Sequence, residues 1–289
     1  MAHRDSRPPE SEDVQEAAHA PRRARAAGSR PRGGAPGAPR PADPADFPDR
    51  DLTRLDGARG LIGSTIRTLL FDTWTEEFLD RHPHGTVVEL GAGSGTRFER
   101  LDNGTVHWFD VDLPEVRRPA RTVSADTERR RSLAVSATDP GWIDAVRRSP
   151  GPYFLVAEAV LIQLERTQVR EVFRLAAEGL PGARLALETA SGRMAGRPDG
   201  HDVLGKVAAR MRWGCDDPAE PEGWHDSVSL AQSCTLARLP AAVSSRMPMA
   251  QRGMLRAMAT VMRRQIQDCR FNLYTIGERD PERMAVAAG

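Results

Sequence analysis

The stretch VVELGAGSGTR, residues 87–97, decides the fold. A short apolar run leads into a loop with glycine at positions 91, 93 and 95, and a polar stretch compatible with a helix follows. Glycine lets the backbone approach a ligand closely and adopt positive φ angles. In doubly wound α/β folds, the turn from a first strand into a helix is where nucleotides bind. The stretch therefore predicts a ligand-binding loop between a strand and a helix.

The spacing of the glycines favours one class of ligand. A dinucleotide fingerprint reads G-x-G-x-x-G, whereas the third glycine here falls one residue early. Glu89 stands two residues before the first glycine, where an acid suits a ligand that carries an ammonium group. An ammonium and a carboxylate in place of a pyrophosphate describe the methionine end of S-adenosylmethionine. An ordinary tight turn between a strand and a helix is the alternative.

A second acidic element, FDVDLP, follows about 20 residues on, where such folds hold a ribose. Alternation along a strand places Asp110 and Asp112 on one face. One acid is enough for the ribose hydroxyls, and Asp112 lies nearer the carboxyl end of the strand. The alternative is that these residues cap a helix that begins near Pro114.

Apolar runs and helical stretches alternate along the chain. Strands are predicted over 86–92, 106–113, 132–137, 153–159, 183–190, 230–239 and 271–277, and helices over 52–80, 166–180, 202–212 and 249–267. Strands separated by helices indicate βαβ units. We expect a Rossmann-like α/β fold, with a mostly parallel seven-stranded sheet and helices on both faces.

The composition indicates one folded domain. Residues 1–46 are almost entirely Ala, Arg, Pro, Gly and acids, so we expect a disordered tail there. A domain over 47–280 follows, with an N-terminal helical lid (47–85), a late substrate-recognition region (191–270) that covers the ligand crevice, and a flexible C-terminus (281–289).

Charge and cysteine content exclude several classes of protein. The formal net charge of +1 gives no reason to expect nucleic acid or a membrane as a partner. Cys215, Cys234 and Cys269 form no CxxC pair, so we expect reduced cysteines, two of them buried, and no metal site. Without a signal-peptide core or a long apolar run, a cytoplasmic location is the default.

Four motifs in order carry a family resemblance: LGAGSGTRFERLDNGTVHWFDVDLPEV (90–116), SATDPGWIDAV (136–146), FLVAEAVLIQL (154–164) and RWGCDDPAEPEGW (212–224). Together they resemble the leucine carboxyl methyltransferase family, and within it the bacterial branch related to the tetracenomycin polyketide O-methyltransferase. The resemblance covers about residues 50–277. It implies a class I fold that binds S-adenosylmethionine.

The resemblance also implies roles for individual residues. Arg97 would pair with the cofactor's carboxylate and Glu158 would face its ammonium, although salt bridges to neighbouring residues are the alternative for both. Gly91, Ala92 and Gly93 would line the cofactor. Asp112 would hold its ribose, and Ala137 and Thr138 would frame its adenine. Two positions depart from the family: Gly95 replaces a usual Asp, and Gln163 a frequent Tyr.

These features predict an O-methyltransferase acting on a small specialised metabolite such as a polyketide. A carboxylate acceptor is already ionised at neutral pH and needs no general base, so no catalytic residue is assigned. A hydroxyl acceptor would need one, and the candidates are His201, His225 and Asp216. Acceptor contacts are expected from Gln163, Trp213 and Asp216, although Trp213 and Trp224 are equally compatible with core packing.

Three other functions remain open. The family also suggests a protein C-terminal carboxylate as the acceptor, and the changes at Gly95 and Gln163 hint at a cofactor-binding protein without transferase activity. A nicotinamide-dependent reductase is the third. The sequence leaves the oligomeric state open.

Overall fold

The computed structural model describes residues 57–93, 95–114, 126–195, 211–261 and 263–277, all within the compact unit Pro39–Gly289. The predicted tail (1–46), the C-terminal segment (281–289), His201 and most of the predicted helix 202–212 lie outside these residues. The division of the chain into domains therefore stays a prediction.

Seven strands of the described residues form one sheet in the order β3-β2-β1-β4-β5-β7-β6. They are β1 (Thr86–Leu90), β2 (His107–Asp112), β3 (Arg130–Ala134), β4 (Tyr153–Ala157), β5 (Arg184–Ala190), β6 (Val228–Cys234) and β7 (Cys269–Ile276). Strands β1 to β5 are parallel, and β7 runs antiparallel to both β5 and β6. The chain builds outward from β1 and then restarts at β4, so the topological switch point lies between these two strands. This arrangement confirms the predicted Rossmann-like fold, with a mostly parallel seven-stranded sheet.

Helices cover the sheet, and a few short ones connect its strands. The described helices are α1 (Gly57–Arg81), α2 (Arg97–Leu101), α3 (Gly141–Val146), α4 (Arg166–Gly179), α5 (Gly192–Ala195), α6 (Ala241–Arg246), α7 (Met249–Val261) and α8 (Arg263–Gln267), with 3₁₀ turns at Leu161–Gln163 and Glu220–Gly223. None of the helices in the described part of the chain is both long and apolar enough to cross a membrane.

The helix α4 shows why these residues adopt this structure. A capping box closes its first turn, with Glu165 and Gln168 satisfying each other's backbone N–H groups. Val169, Val172 and Phe173 recur at helical spacing and are fully buried against the sheet. Each such side chain contributes roughly 1.5–3 kcal/mol by leaving water.

The opposite face of the sheet is covered largely by α1, assisted by α6 and α7. Phe71 packs edge-on against Phe271 of β7, with ring centroids 6.2 Å apart. Trp74 donates from its indole Nε1 to Gln232 of β6 over 3.1 Å. The first described helix is therefore tied to the last strands of the chain.

Two elements near the end of the chain differ from the sequence prediction. The strand expected over 230–239 covers Val228–Cys234 instead, because a turn in which Arg238 donates to the Thr235 carbonyl (2.9 Å) reverses the chain. The short helix α6 after Pro240 was not predicted. All three cysteines are free, and Cys215 and Cys234 are buried, as expected.

Candidate cofactor site

The glycine loop lies where the sequence predicts, between β1 and α2. Gly91 and Gly93 have φ angles of 70° and 56°, which favour glycine. The Gly91 amide donates to the Val111 carbonyl at 2.7 Å, and a Cβ atom at Gly91 would lie 2.1 Å from Val160 Cγ2. The loop is thus held against the end of β2 and against the turn after β4.

Gly95, where the family that the sequence resembles usually has Asp, fits the shape of this loop. Its amide donates to the Ala92 carbonyl at 2.8 Å, and a Cβ at position 95 would lie 2.8 Å from that same oxygen. It would also lie 3.4 Å from Glu89 Oε1. An aspartate at this position would therefore crowd the backbone and set a second carboxylate beside Glu89.

The two acids of β2 have different environments. Asp112 is partly exposed, and its oxygens accept the backbone N–H groups of Gly93 (2.7 Å) and Leu113 (2.8 Å). The contact with Leu113 joins neighbouring residues, and the helix expected near Pro114 continues outside the described residues, so the capping alternative stays open. Each oxygen of Asp112 retains a second lone pair that a ligand hydroxyl can use.

Asp110 lies opposite Glu89 in the register of β1 and β2, and other residues of the protein hold its side chain. It is buried, and its oxygens accept Trp108 Nε1 at 3.0 Å and Arg130 Nε at 2.8 Å. This ion pair offers a structural reason for the acid, and a contact between Asp110 and the cofactor stays a prediction.

Arg97 lies at the centre of a buried set of ion pairs. Its Nε donates to Asp72 at 2.8 Å, and its two outer nitrogens donate to Glu89 and Glu158. Glu89 lies on β1 opposite Val156 of β4, and this register sets it near Glu158 just beyond the end of β4. The side chains therefore meet at the switch point, and the salt-bridge alternative for Arg97 and Glu158 is what this structure shows.

Helix α1 contributes residues that the sequence analysis missed. Arg67 donates from Nε to Glu158 at 2.9 Å and from Nη1 to Glu188 of β5 at 3.3 Å. Thr68 Oγ1 donates to Glu158 at 3.0 Å. A charged residue among the buried positions of an amphipathic helix is a usable signal, because burying a charge requires a partner.

Burial and charge act on these carboxyl groups in different directions. Burial raises the pKa of Glu89 to about 7, with Arg97 opposing the change. Burial also raises the pKa of Glu188, against the effect of Arg67. At Glu158, burial is outweighed by the two arginines, Arg67 and Arg97, which lower its pKa to about 2. Glu158 thus stays ionised, whereas Glu89 changes charge near neutral pH.

The turn after β3 reaches the same edge of the sheet. Trp142 Nε1 donates to the Ala137 carbonyl at 2.9 Å, and the Thr138 amide donates to Ser136 Oγ at 3.2 Å. Ala137 and Thr138 are partly exposed and follow a strand expected over 132–137 that ends at Ala134. Hydrogen bonds from Trp142 and to Ser136 thus hold this turn, while Ala137 and Thr138 remain partly exposed.

The tentative acceptor residues lie in neighbouring segments, because the Arg212 and Trp213 amides donate to the Ile162 carbonyl at 2.8 and 3.2 Å, but their side chains have different environments. Gln163 is exposed and donates to the Ala159 carbonyl. Asp216 accepts the Gly192 amide at 2.9 Å and so holds the start of α5. The ring nitrogen Nδ1 of His225, an alternative base, lies 2.8 Å from Ser227 Oγ within a local turn.

The acceptor contact expected from Trp213 is corrected by the structure, which places this residue in the core. It is 1% exposed and lies in the main core, with its ring centroid 5.9 Å from that of Trp224. Burying its large apolar ring stabilises the folded state more than exposing it would, and the structure shows the core-packing alternative. Among the described residues, no group of three or more His, Cys, Asp and Glu side chains is arranged to hold a metal ion.

No protein-family model matches the chain. It is 27% identical over 176 residues to the tetracenomycin polyketide synthesis O-methyltransferase TcmP of Streptomyces glaucescens, a match covering 60% of this chain and 65% of that protein. A DUF574 family protein from Streptomyces avermitilis superposes with a TM-score of 0.52 at 14% identity, covering 75% of this chain and 84% of the other. The N-methyltransferase NodS of Bradyrhizobium japonicum, in complex with S-adenosyl-L-homocysteine, gives a TM-score of 0.44 at 15% identity, covering 80% and 94%.

Proposed function

We propose that the chain is an S-adenosylmethionine-dependent O-methyltransferase that methylates a carboxylate, or a hydroxyl, of a small specialised metabolite. The observation that carries the proposal is the glycine loop at the switch point, flanked by Asp112 at the end of β2 and Glu158 at the end of β4. Similarity to a polyketide O-methyltransferase supports the activity and the type of acceptor. Membership of the leucine carboxyl methyltransferase family is part of the same proposal.

The residues at this edge suit the parts of the cofactor. Gly91 and Gly93 leave backbone without side chains, and at Gly91 a methyl group would collide with Val160. Asp112 would accept the ribose hydroxyls, and the turn at Ala137 and Thr138 would border the adenine. Arg97 would bind the carboxylate of the amino-acid end.

Charge supports the same ligand. The ion pairs of Arg67, Arg97 and Arg100 join three guanidinium groups to four carboxylates, which are those of Asp72, Glu89, Glu158 and Glu188. At pH values above the raised pKa of Glu89 and of Glu188, where all four carboxylates are ionised, these seven residues carry one negative charge in excess. S-adenosylmethionine carries an ammonium, a sulfonium and a carboxylate, and thus one positive charge in excess. Opposite charges in a partly desolvated site attract each other more strongly than in water.

The reaction places modest demands on the protein. The sulfonium supplies an activated methyl group, which an acceptor oxygen attacks as the carbon–sulfur bond breaks. A carboxylate acceptor has no proton to lose, so the chain needs to align the two reactants and exclude water. Fixed elements such as the ion pairs around Arg97 would provide this alignment on the cofactor side.

Calorimetric titration with S-adenosylmethionine tests the cofactor, and release of S-adenosylhomocysteine from a panel of aromatic carboxylic acids, phenols and C-terminal peptides tests the acceptor. We expect binding, loss of binding in Asp112→Ala, and turnover with an aromatic acid. Glu171→Gln, which alters an exposed ion pair on α4, is the control and should bind normally. Turnover of the peptides alone would shift the function to protein carboxyl methylation. Binding without turnover would favour the non-enzymatic reading.

A further inference from the structure

Helix α1 reaches the cofactor site through one buried carboxylate, that of Asp72. This residue is 3% exposed. Its Oδ1 accepts Arg97 Nε at 2.8 Å and Arg100 Nη2 at 3.1 Å, and its Oδ2 accepts Arg100 Nε at 2.9 Å. Asp72 therefore links α1 to two arginines of α2, the helix that follows the glycine loop.

The contacts of Arg97 divide into an inner and an outer set. Asp72 holds the Nε edge, whereas Nη1 and Nη2 point to Glu89 and Glu158 at the carboxyl ends of β1 and β4. Glu158 also accepts hydrogen bonds from Arg67 and Thr68. Glu158 can consequently release Arg97 and keep two donors, but the Nε edge of Arg97 has Asp72 as its acceptor throughout.

We propose that Asp72 is a positioning residue for the cofactor, an inference that rests on the proposed function. Asp72 anchors the Nε edge of Arg97 while the outer nitrogens exchange Glu89 and Glu158 for the carboxylate of the amino-acid end. The two glutamates then face the ammonium group. Every charge stays paired through this exchange, which matters because an unpaired charge in a buried site is costly.

Two ligands separate positioning from simple support of the fold. S-adenosylhomocysteine has the amino-acid end, whereas 5′-methylthioadenosine shares the nucleoside and lacks that end. In Asp72→Asn we expect the Kd for S-adenosylhomocysteine to rise about tenfold or more, the loss typical of a hydrogen bond between charged groups. The Kd for 5′-methylthioadenosine should change less than about twofold, which is less than the loss of one such hydrogen bond would cause.

The matched control is Glu76→Gln, one helical turn further along α1. Glu76 forms its ion pair with Arg246 of α6, so this variant keeps the bonds of Asp72 to Arg97 and Arg100 and should leave the ratio of the two Kd values unchanged. Asp72→Glu keeps the charge but displaces it, and it serves as the second variant if Asp72→Asn does not fold. It should raise the Kd for S-adenosylhomocysteine selectively.

A double-mutant cycle completes the test. In an Arg97→Lys background, where the guanidinium fork is absent, Asp72→Asn should cause no further selective loss. An equal loss of both ligands in folded Asp72 variants, or an unchanged Kd for S-adenosylhomocysteine, would overturn the positioning role. Failure of the unmodified protein to bind either ligand would instead overturn the proposed function, together with this inference.

Discussion

Replacing Gly91 by alanine should damage the site and the fold together. The backbone at Gly91 has a φ of 70°, and a residue with a Cβ atom in that conformation loses about 1–2 kcal/mol. The added methyl would also lie 2.1 Å from Cγ2 of Val160, closer than atoms can approach. Overpacking of this kind costs about 1–3 kcal/mol, so we expect a total loss of about 2–5 kcal/mol. Urea unfolding with a constant m value measures this loss.

Gly104→Ala is the matched control. Gly104 has a φ of 84°, but a Cβ there would meet no atom within 4 Å, so this variant should show only the backbone cost. Val160→Ala removes the colliding Cγ2 and should recover part of the loss in the double variant. If Gly91→Ala were no less stable than Gly104→Ala, the close contact between the glycine loop and the turn after β4 would be refuted.

Three further predictions concern charge and metal. The pKa of Glu89 is raised from 4.5 to about 7, so between these pH values the folded state holds a proton that the unfolded state loses. The free energy of unfolding should therefore decrease as the pH rises from 4.5 to 7. Glu89→Gln should remove its own part of that slope, at most about 3.4 kcal/mol, and leave the part due to Glu188, whose pKa is also raised; an unchanged slope in urea titrations would contradict the assignment. The pKa of Glu158 is lowered to about 2, so its stabilising contribution is complete above pH 4.5 and lost as the pH falls towards 2; Glu158→Gln should remove this acid sensitivity. Methyl transfer should survive dialysis against EDTA, and a loss that added Mg²⁺ restores would show a metal requirement.

Much of the fold was predictable because it depends on local patterns. Short apolar runs separated by helical stretches located all seven strands, within a few residues at each end. The positions of the glycine loop after β1 and of Asp112 at the end of β2 were predictable because they follow from turn chemistry and from the spacing of the strands. The strand boundary near 235–239 was missed because a turn of the chain, followed by Pro240, overrides the apolar pattern there.

The parts of the site that depend on distant contacts could not be predicted. Arg67 lies far in sequence from Glu158, and Asp72 lies far from Arg97. A single sequence does not tell which of its charged residues form ion pairs. Trp213 illustrates the reverse error, since a tryptophan in a polar loop suggests a lid until its burial is seen.

The packing of α1 against the end of the chain has a consequence for biosynthesis. Trp74 bonds to Gln232, 158 residues later, and Phe71 contacts Phe271 in the last strand. Contacts between such distant residues delay folding, since the intervening loop must close before they form. On the ribosome, α1 emerges long before its partners and exposes its apolar stripe meanwhile. The domain can close only after β7 is synthesised, so a nascent chain stalled before Phe271 should need a chaperone's protection and bind no cofactor.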